Sequence, residues 1–80
     1  MVTLLYFAKL REAVGMGEER VELPEGLSTV ADLTDWLAER YPIFGDRDRL
    51  RVAVDQVMAK FDTTIGAARE IAFFPPVTGG

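Results

Sequence analysis

The sequence predicts an α+β fold: one mixed sheet of about five strands rolled around a single main helix, continued by a flexible C-terminal Gly-Gly tail. Three observations predict it. Only the stretch from Ser28 to Tyr41 has apolar residues at helical spacing over several turns. Short segments of strand-like composition flank it on both sides. The first and last of these segments are apolar on both faces, as in strands that are central or covered on both sides.

In chain order, Val2 to Ala8 reads as the first strand. Val2, Leu4, Tyr6 and Ala8 point one way, and Leu5 and Phe7 the other. Lys9 to Val14 fits a short helical turn with Leu10 and Ala13 or Val14 on one side, ended by Gly15-Met16-Gly17. Glu18 to Leu23 alternates polar and apolar residues, which predicts a half-exposed strand antiparallel to the first. Pro24-Glu25-Gly26 is a turn. Thr29-Val30-Ala31-Asp32 has the form of a capping box, and a cap at Ser28 fits equally well. Val30, Leu33, Leu37 and Tyr41 then form one apolar stripe flanked by Trp36, and Pro42 stops the helix.

Ile43 to Arg49 is an irregular, charged connector. A third strand runs from Arg51 toward Val57, with Val52 and Val54 opposite Ala53 and Asp55; Asp55-Gln56 turns the chain into a short fourth strand, Val57 to Phe61. Asp62 to Ala68 reads as a loop. Arg69 to Phe74 is the last strand, with Ile71 and Phe73 opposed to Ala72 and Phe74. The two most apolar strands, first and last, belong side by side, parallel, at the centre of the sheet. A right-handed crossover through the helix permits this.

Eighty residues suffice for one small domain. The chain has no Cys and no His, which removes disulfides, Cys-His and Ser-His catalysis, and zinc sites of the usual ligand types. No acidic cluster has the spacing of a calcium loop, so no metal is expected. Asp46, Asp48 and Asp55, or Glu18, Glu19 and Glu22, form acidic groups, but in charged segments that read as solvated faces rather than acid–base pairs. A net charge of −4 argues against nucleic acid as a partner. Apolar runs are far shorter than a membrane span, and no basic region precedes the first one as in a signal peptide. Cytoplasm is the expected location.

One helix covers one face of the sheet. Leu5, Phe7 and Phe74 therefore face away from it, and Met58 joins them. Such a patch marks a partner or oligomer surface, unless loops fold over it. Residues 1–74 form the expected domain and 75–80 an extended tail. Pro75 and Pro76 end sheet pairing and favour an extended path. The six residues from Pro75 to Gly80 could reach about 18 Å at roughly 3 Å per residue. Gly79 and Gly80 lack a Cβ and fit a channel too narrow for other residues. The Gly80 α-carboxylate is a poor electrophile until an ATP-using enzyme converts it to an acyl-adenylate. A sulfur or amine nucleophile then displaces AMP at an unhindered carbonyl. The alternative is an inert, frayed end.

Phe73-Phe74-Pro75-Pro76-Val77-Thr78-Gly79-Gly80, preceded by Glu70-Ile71-Ala72, resembles the C-terminal signature of the small, sulfur-carrier subunits of molybdopterin synthase. Val2 to Ala8 with Leu10-Arg11-Glu12 and Gly15 is similar to that family's opening, and Val52-Ala53-Val54-Asp55 to an internal strand that usually ends in Asn. The resemblance implies a ubiquitin-like β-grasp fold. It also implies that an adenylating and sulfurating enzyme uses ATP to activate Gly80 and turn it into a thiocarboxylate. The tail, Pro75, Pro76, Val77, Thr78 and Gly79, would then enter the active site of the large catalytic subunit within a heterotetramer. There sulfur passes to cyclic pyranopterin monophosphate, and two transfers build the dithiolene of the molybdenum cofactor. Phe7, Phe74 and Met58 fall on the family's partner face. Arg11 matches a family position and pairs either with a partner carboxylate or in an ordinary surface ion pair. The chain itself is expected to bind no cofactor and to be no enzyme alone.

Two departures stand out. Ala67-Ala68-Arg69-Glu70 replaces a frequent Asp-Gly-Asp-Glu, and Asp55 replaces Asn. A carrier of the thiamine-synthesis type, a ubiquitin-like protein modifier and an inert interaction module are the alternative readings.

Overall fold

The structure, a computed structural model, describes residues 1–76. Val77, Thr78, Gly79 and Gly80, on which the expected tail chemistry falls, lie outside the described residues. The elements are β1 (Val2–Tyr6), α1 (Lys9–Val14), β2 (Glu18–Val21), α2 (Val30–Arg40), β3 (Arg51–Val54), β4 (Val57–Ala59) and β5 (Glu70–Phe74). Two 3₁₀ turns, Pro42–Gly45 and Arg47–Arg49, lie between α2 and β3. The five strands form one sheet in the order β2-β1-β5-β3-β4. β1 and β5 are central and parallel, as expected from their two apolar faces; the other pairings are antiparallel. This is the predicted β-grasp roll.

Register places Leu4 beside Ile71 and Tyr6 beside Phe73. All four are buried and pack under α2 with Val30, Leu33 and Leu37. Phe44 completes this core. Its ring meets Phe73 edge-on with centroids 5.2 Å apart, and Tyr6 at 5.9 Å. Phe44 comes from the connector expected to be irregular and charged, which instead winds into 3₁₀ turns that drive one aromatic inward. Burial and a hydrogen bond to the Glu19 carboxylate (2.9 Å) raise the Tyr6 hydroxyl above its ordinary pKa, so it stays a donor.

The N-terminus of α2 has every free donor of its first turn satisfied. Thr29 is the cap: its hydroxyl accepts from Asp32 N, and the Asp32 carboxylate accepts from Thr29 N and Ser28 N. The Val30 and Ala31 amides donate to the carbonyls of Thr63 and Phe61. The predicted 62–68 loop therefore folds over the start of α2, and Ile65 is buried there. Thr34, buried in the apolar stripe, donates its hydroxyl proton to the Val30 carbonyl at 2.8 Å.

Several ends differ from expectation. β1 stops at Tyr6 because Ala8 has φ 53°, which turns the chain into α1 and leaves Ala8 exposed instead of facing the core. β2 ends at Val21, β4 at Ala59, and β5 starts at Glu70. Asp55 and Gln56 have φ of 49° and 70°, the two positive values of a type I′ hairpin turn. Asp55 also grips β5. Its Oδ1 accepts from Arg69 N and Glu70 N, both at 2.9 Å, and its own amide donates to the Glu70 carbonyl. These bonds need an acceptor oxygen, which Asp supplies as well as Asn.

Type I′ turns favour Asn-Gly. Gln56→Gly should therefore stabilise the fold by about 0.5–1 kcal/mol, the relief of a left-handed non-Gly residue less the glycine entropy cost. A melt showing a lower Tm would contradict this. Backbone donors from Ser28 and Thr29 hold the Asp32 carboxyl below its ordinary pKa. Its stabilisation is then full above the unfolded-state pKa and fades as pH falls through the lower folded value. The Tm difference between wild type and Asp32→Ala should shrink as melts are taken into that acid range. A difference independent of pH would exclude charge as its source.

Candidate functional face

The alternation that buries Leu4, Tyr6, Ile71 and Phe73 sends their neighbours to the opposite side of the sheet. Register lines them up in rows. Leu5 lies beside Ala72, Ala72 beside Ala53, and Ala53 beside Met58. At the end of the sheet where the chain leaves β5, Phe7 and Phe74 meet edge to face, with ring centroids 6.3 Å apart and planes at 74°.

Phe7 is 47% exposed and Met58 60% exposed; Phe74 is half-buried. Both α2 and α1 contribute their buried residues to the core on the other side, Leu10 and Val14 in the case of α1. Phe7, Phe74 and Met58 are thus brought onto one face, with Leu5, Ala72 and Ala53 as its floor. Phe7 is fixed by its backbone: its amide donates to the Phe73 carbonyl, and its carbonyl accepts from Leu10 N and Arg11 N. The strained Ala8 follows directly, so the bend that ends β1 also holds Phe7 at the edge of the patch.

Arg11 lies on α1, exposed, and its side chain runs over Gly17. A Cβ at Gly17 would stand 3.1 Å from Arg11 Nε, so glycine leaves room for the guanidinium. Pro75 and Pro76 follow Phe74 without sheet pairing and are half-buried. One charged residue of the face carries no sequence motif. Arg51 is the register partner of Phe74, and its alternation with Ala53 is the only signal of that position.

The face has no chemistry of its own among the described residues. No group of three or more His, Cys, Asp or Glu side chains converges as a metal site would. No helix among those residues is long and apolar enough to cross a membrane. The two side chains with shifted acidity, Tyr6 and Asp32, serve the core and the helix cap. What the face offers is an apolar platform ending at the origin of the tail.

Known proteins share both the sequence and the architecture. The chain is 40% identical over 81 residues to the molybdopterin synthase sulfur carrier subunit of Mycobacterium tuberculosis, covering 99% of this chain and 96% of that one. It is 36% identical to the protein of the same name from Escherichia coli, over the full length of both. The crystal structure of SAMP1 from Haloferax volcanii superposes with a TM-score of 0.74 at 31% identity, covering 99% of this chain and 98% of that one. The ThiS family description matches residues 4–80, nearly the whole sequence, and the chain belongs to that family.

Proposed function

We propose that this protein is the sulfur carrier of a molybdopterin synthase, and that its outer sheet face seats against the large catalytic subunit while the tail enters that subunit's active site. The observation that carries the reading is the exposed apolar face built on Phe7, Phe74 and Met58, continuous with the first residue of the tail. Full-length similarity to carrier subunits supports it.

The chemistry requires only the Gly80 carboxyl group from this chain. In an activating enzyme the carboxylate oxygen attacks the α-phosphorus of ATP, and pyrophosphate leaves. A hydrosulfide equivalent delivered by a sulfur donor adds to the acyl carbon, AMP leaves, and a thiocarboxylate remains. In the large subunit that sulfur passes to cyclic pyranopterin monophosphate, and water restores the carboxylate. Two such transfers supply the two sulfurs of one dithiolene. An unhindered glycine at each acyl centre suits these steps.

A second reading has its own support. The similarity to SAMP1, whose fuller name is small archaeal modifier protein 1, favours conjugation of the activated Gly80 to an amine. The two readings share the adenylate and differ in the nucleophile.

Intact mass spectrometry after incubation with ATP, a sulfur source and the cognate activating enzyme should show one oxygen exchanged for sulfur at Gly80. No exchange under conditions that form the adenylate would exclude the carrier role; protein-sized adducts would point to the modifier. Deleting Gly79 and Gly80 should abolish sulfur transfer while leaving subunit binding in place. For the face, Phe7→Ser combined with Met58→Ser should cost the fold only about 1–2 kcal/mol, chiefly through the lost Phe7–Phe74 contact, yet weaken binding to the large subunit by about tenfold or more. Unaltered affinity would show that the face is not the docking surface.

A further inference from the structure

Arg51 occupies a position on the outer face that its sequence context does not announce. In the β3–β5 ladder it is the partner of Phe74. The adjacent pair, Val52 and Phe73, is 1% and 0% exposed, so alternation puts Arg51 and Phe74 side by side on the outer face. Facing Cβ atoms in such pairs are about 5 Å apart. Arg51 Nη1 donates to the Leu50 carbonyl at 2.8 Å, which ties the guanidinium to the start of β3. One of its five donors is used by that bond.

No acidic group among the described residues pairs with it. Nearby Arg47 and Arg49 do have such partners, Asp35 and Asp46. The next row of the face, Met58, Ala53, Ala72 and Leu5, is uncharged until it reaches Glu18 on β2. The far row, Arg20, Thr3 and Glu70, carries both signs. The end from which Pro75 departs thus presents, among the described residues, a cation without an acidic partner beside an aromatic anchor.

This arrangement constrains what can cover it. A partner that seats Phe74 in a pocket also strips water from the guanidinium beside it. A cation desolvated without a counter-charge opposes binding strongly, and a carboxylate in bidentate contact offsets that cost. An apolar patch alone has little directional preference, whereas one charge at its edge gives it a direction.

We propose that Arg51 is the orienting contact of the docking face, taking a carboxylate that the catalytic subunit presents beside the pocket for Phe74. The pairing fixes the rotation of the carrier on its partner, and so the direction in which Pro75 and Pro76 leave the interface. It rests on the docking reading above and adds to it an acidic side chain at the mouth of the partner's tail channel.

The test is a titration of the cognate catalytic subunit with full-length carrier, over a series of salt concentrations, using wild type, Arg51→Gln, Arg51→Glu, Arg51→Lys and Phe74→Ala. Arg51→Gln should bind about tenfold more weakly and with a shallower salt dependence. Arg51→Glu should be weaker still, and Arg51→Lys should lie between Gln and wild type, since it keeps the charge but not the fork. Melts of each variant check the fold, and Arg51 is exposed enough for all three to remain folded. Wild-type affinity and salt dependence in Arg51→Glu, alongside weakened binding by Phe74→Ala, would overturn this inference and leave the docking face intact. Absence of binding by wild type would overturn the docking reading and the inference together.

Discussion

Parallel pairing of β1 with β5 joins the two ends of the chain through Leu4 and Ile71, Tyr6 and Phe73, and everything else is arranged around that ladder. The four side chains give α2 a surface to cover, and Phe44 closes the end of it. The same backbone alternation sends Leu5, Phe7, Ala72 and Phe74 to the other side. Core and outer face are therefore two readings of a single register. A slip of one residue would exchange them, burying the face and exposing the core. The register is held at its entrance by Asp55, whose carboxylate takes the first amide of β5 and the one before it.

Much of this was legible in the sequence because it rests on local patterns. The capping box at Thr29, the stripe from Val30 to Tyr41 and the two-faced apolar strands each follow from spacing alone. The count of helices then implied an uncovered sheet face, and Phe7, Met58 and Phe74 do share one face. What escaped depends on distant contacts. Phe44 sits in a charged segment without periodicity, and only Tyr6 and Phe73 from the chain ends give it a reason to be inside. Ile65 is buried because its loop carries the carbonyls that α2 needs. Ala8 adopts a conformation that composition does not suggest for alanine, imposed by the turn from β1 to α1. Arg51 acquires meaning only when β3 is aligned with β5.

The division of labour within the molecule is marked. Its titratable groups of altered acidity stabilise the fold: Tyr6 donates to Glu19, and Asp32 caps α2. The centre of the exposed face is made of apolar side chains, with charged residues, Arg51 among them, at its borders. Among the described residues the fold and the outer face thus draw on separate sets of side chains. The membership of the ThiS family and the names of its relatives fit that division.

The central place of β5 has a mechanical consequence. A pull on the C-terminus acts along a strand bonded on both sides, to β1 in parallel and to β3 antiparallel, so that two ladders are loaded in shear together. An edge strand such as β4 would peel away one bond at a time. Resistance to forced unfolding is set by the barrier to that first rupture rather than by equilibrium stability. Tension applied through the end of the chain would therefore be borne by the middle of the sheet.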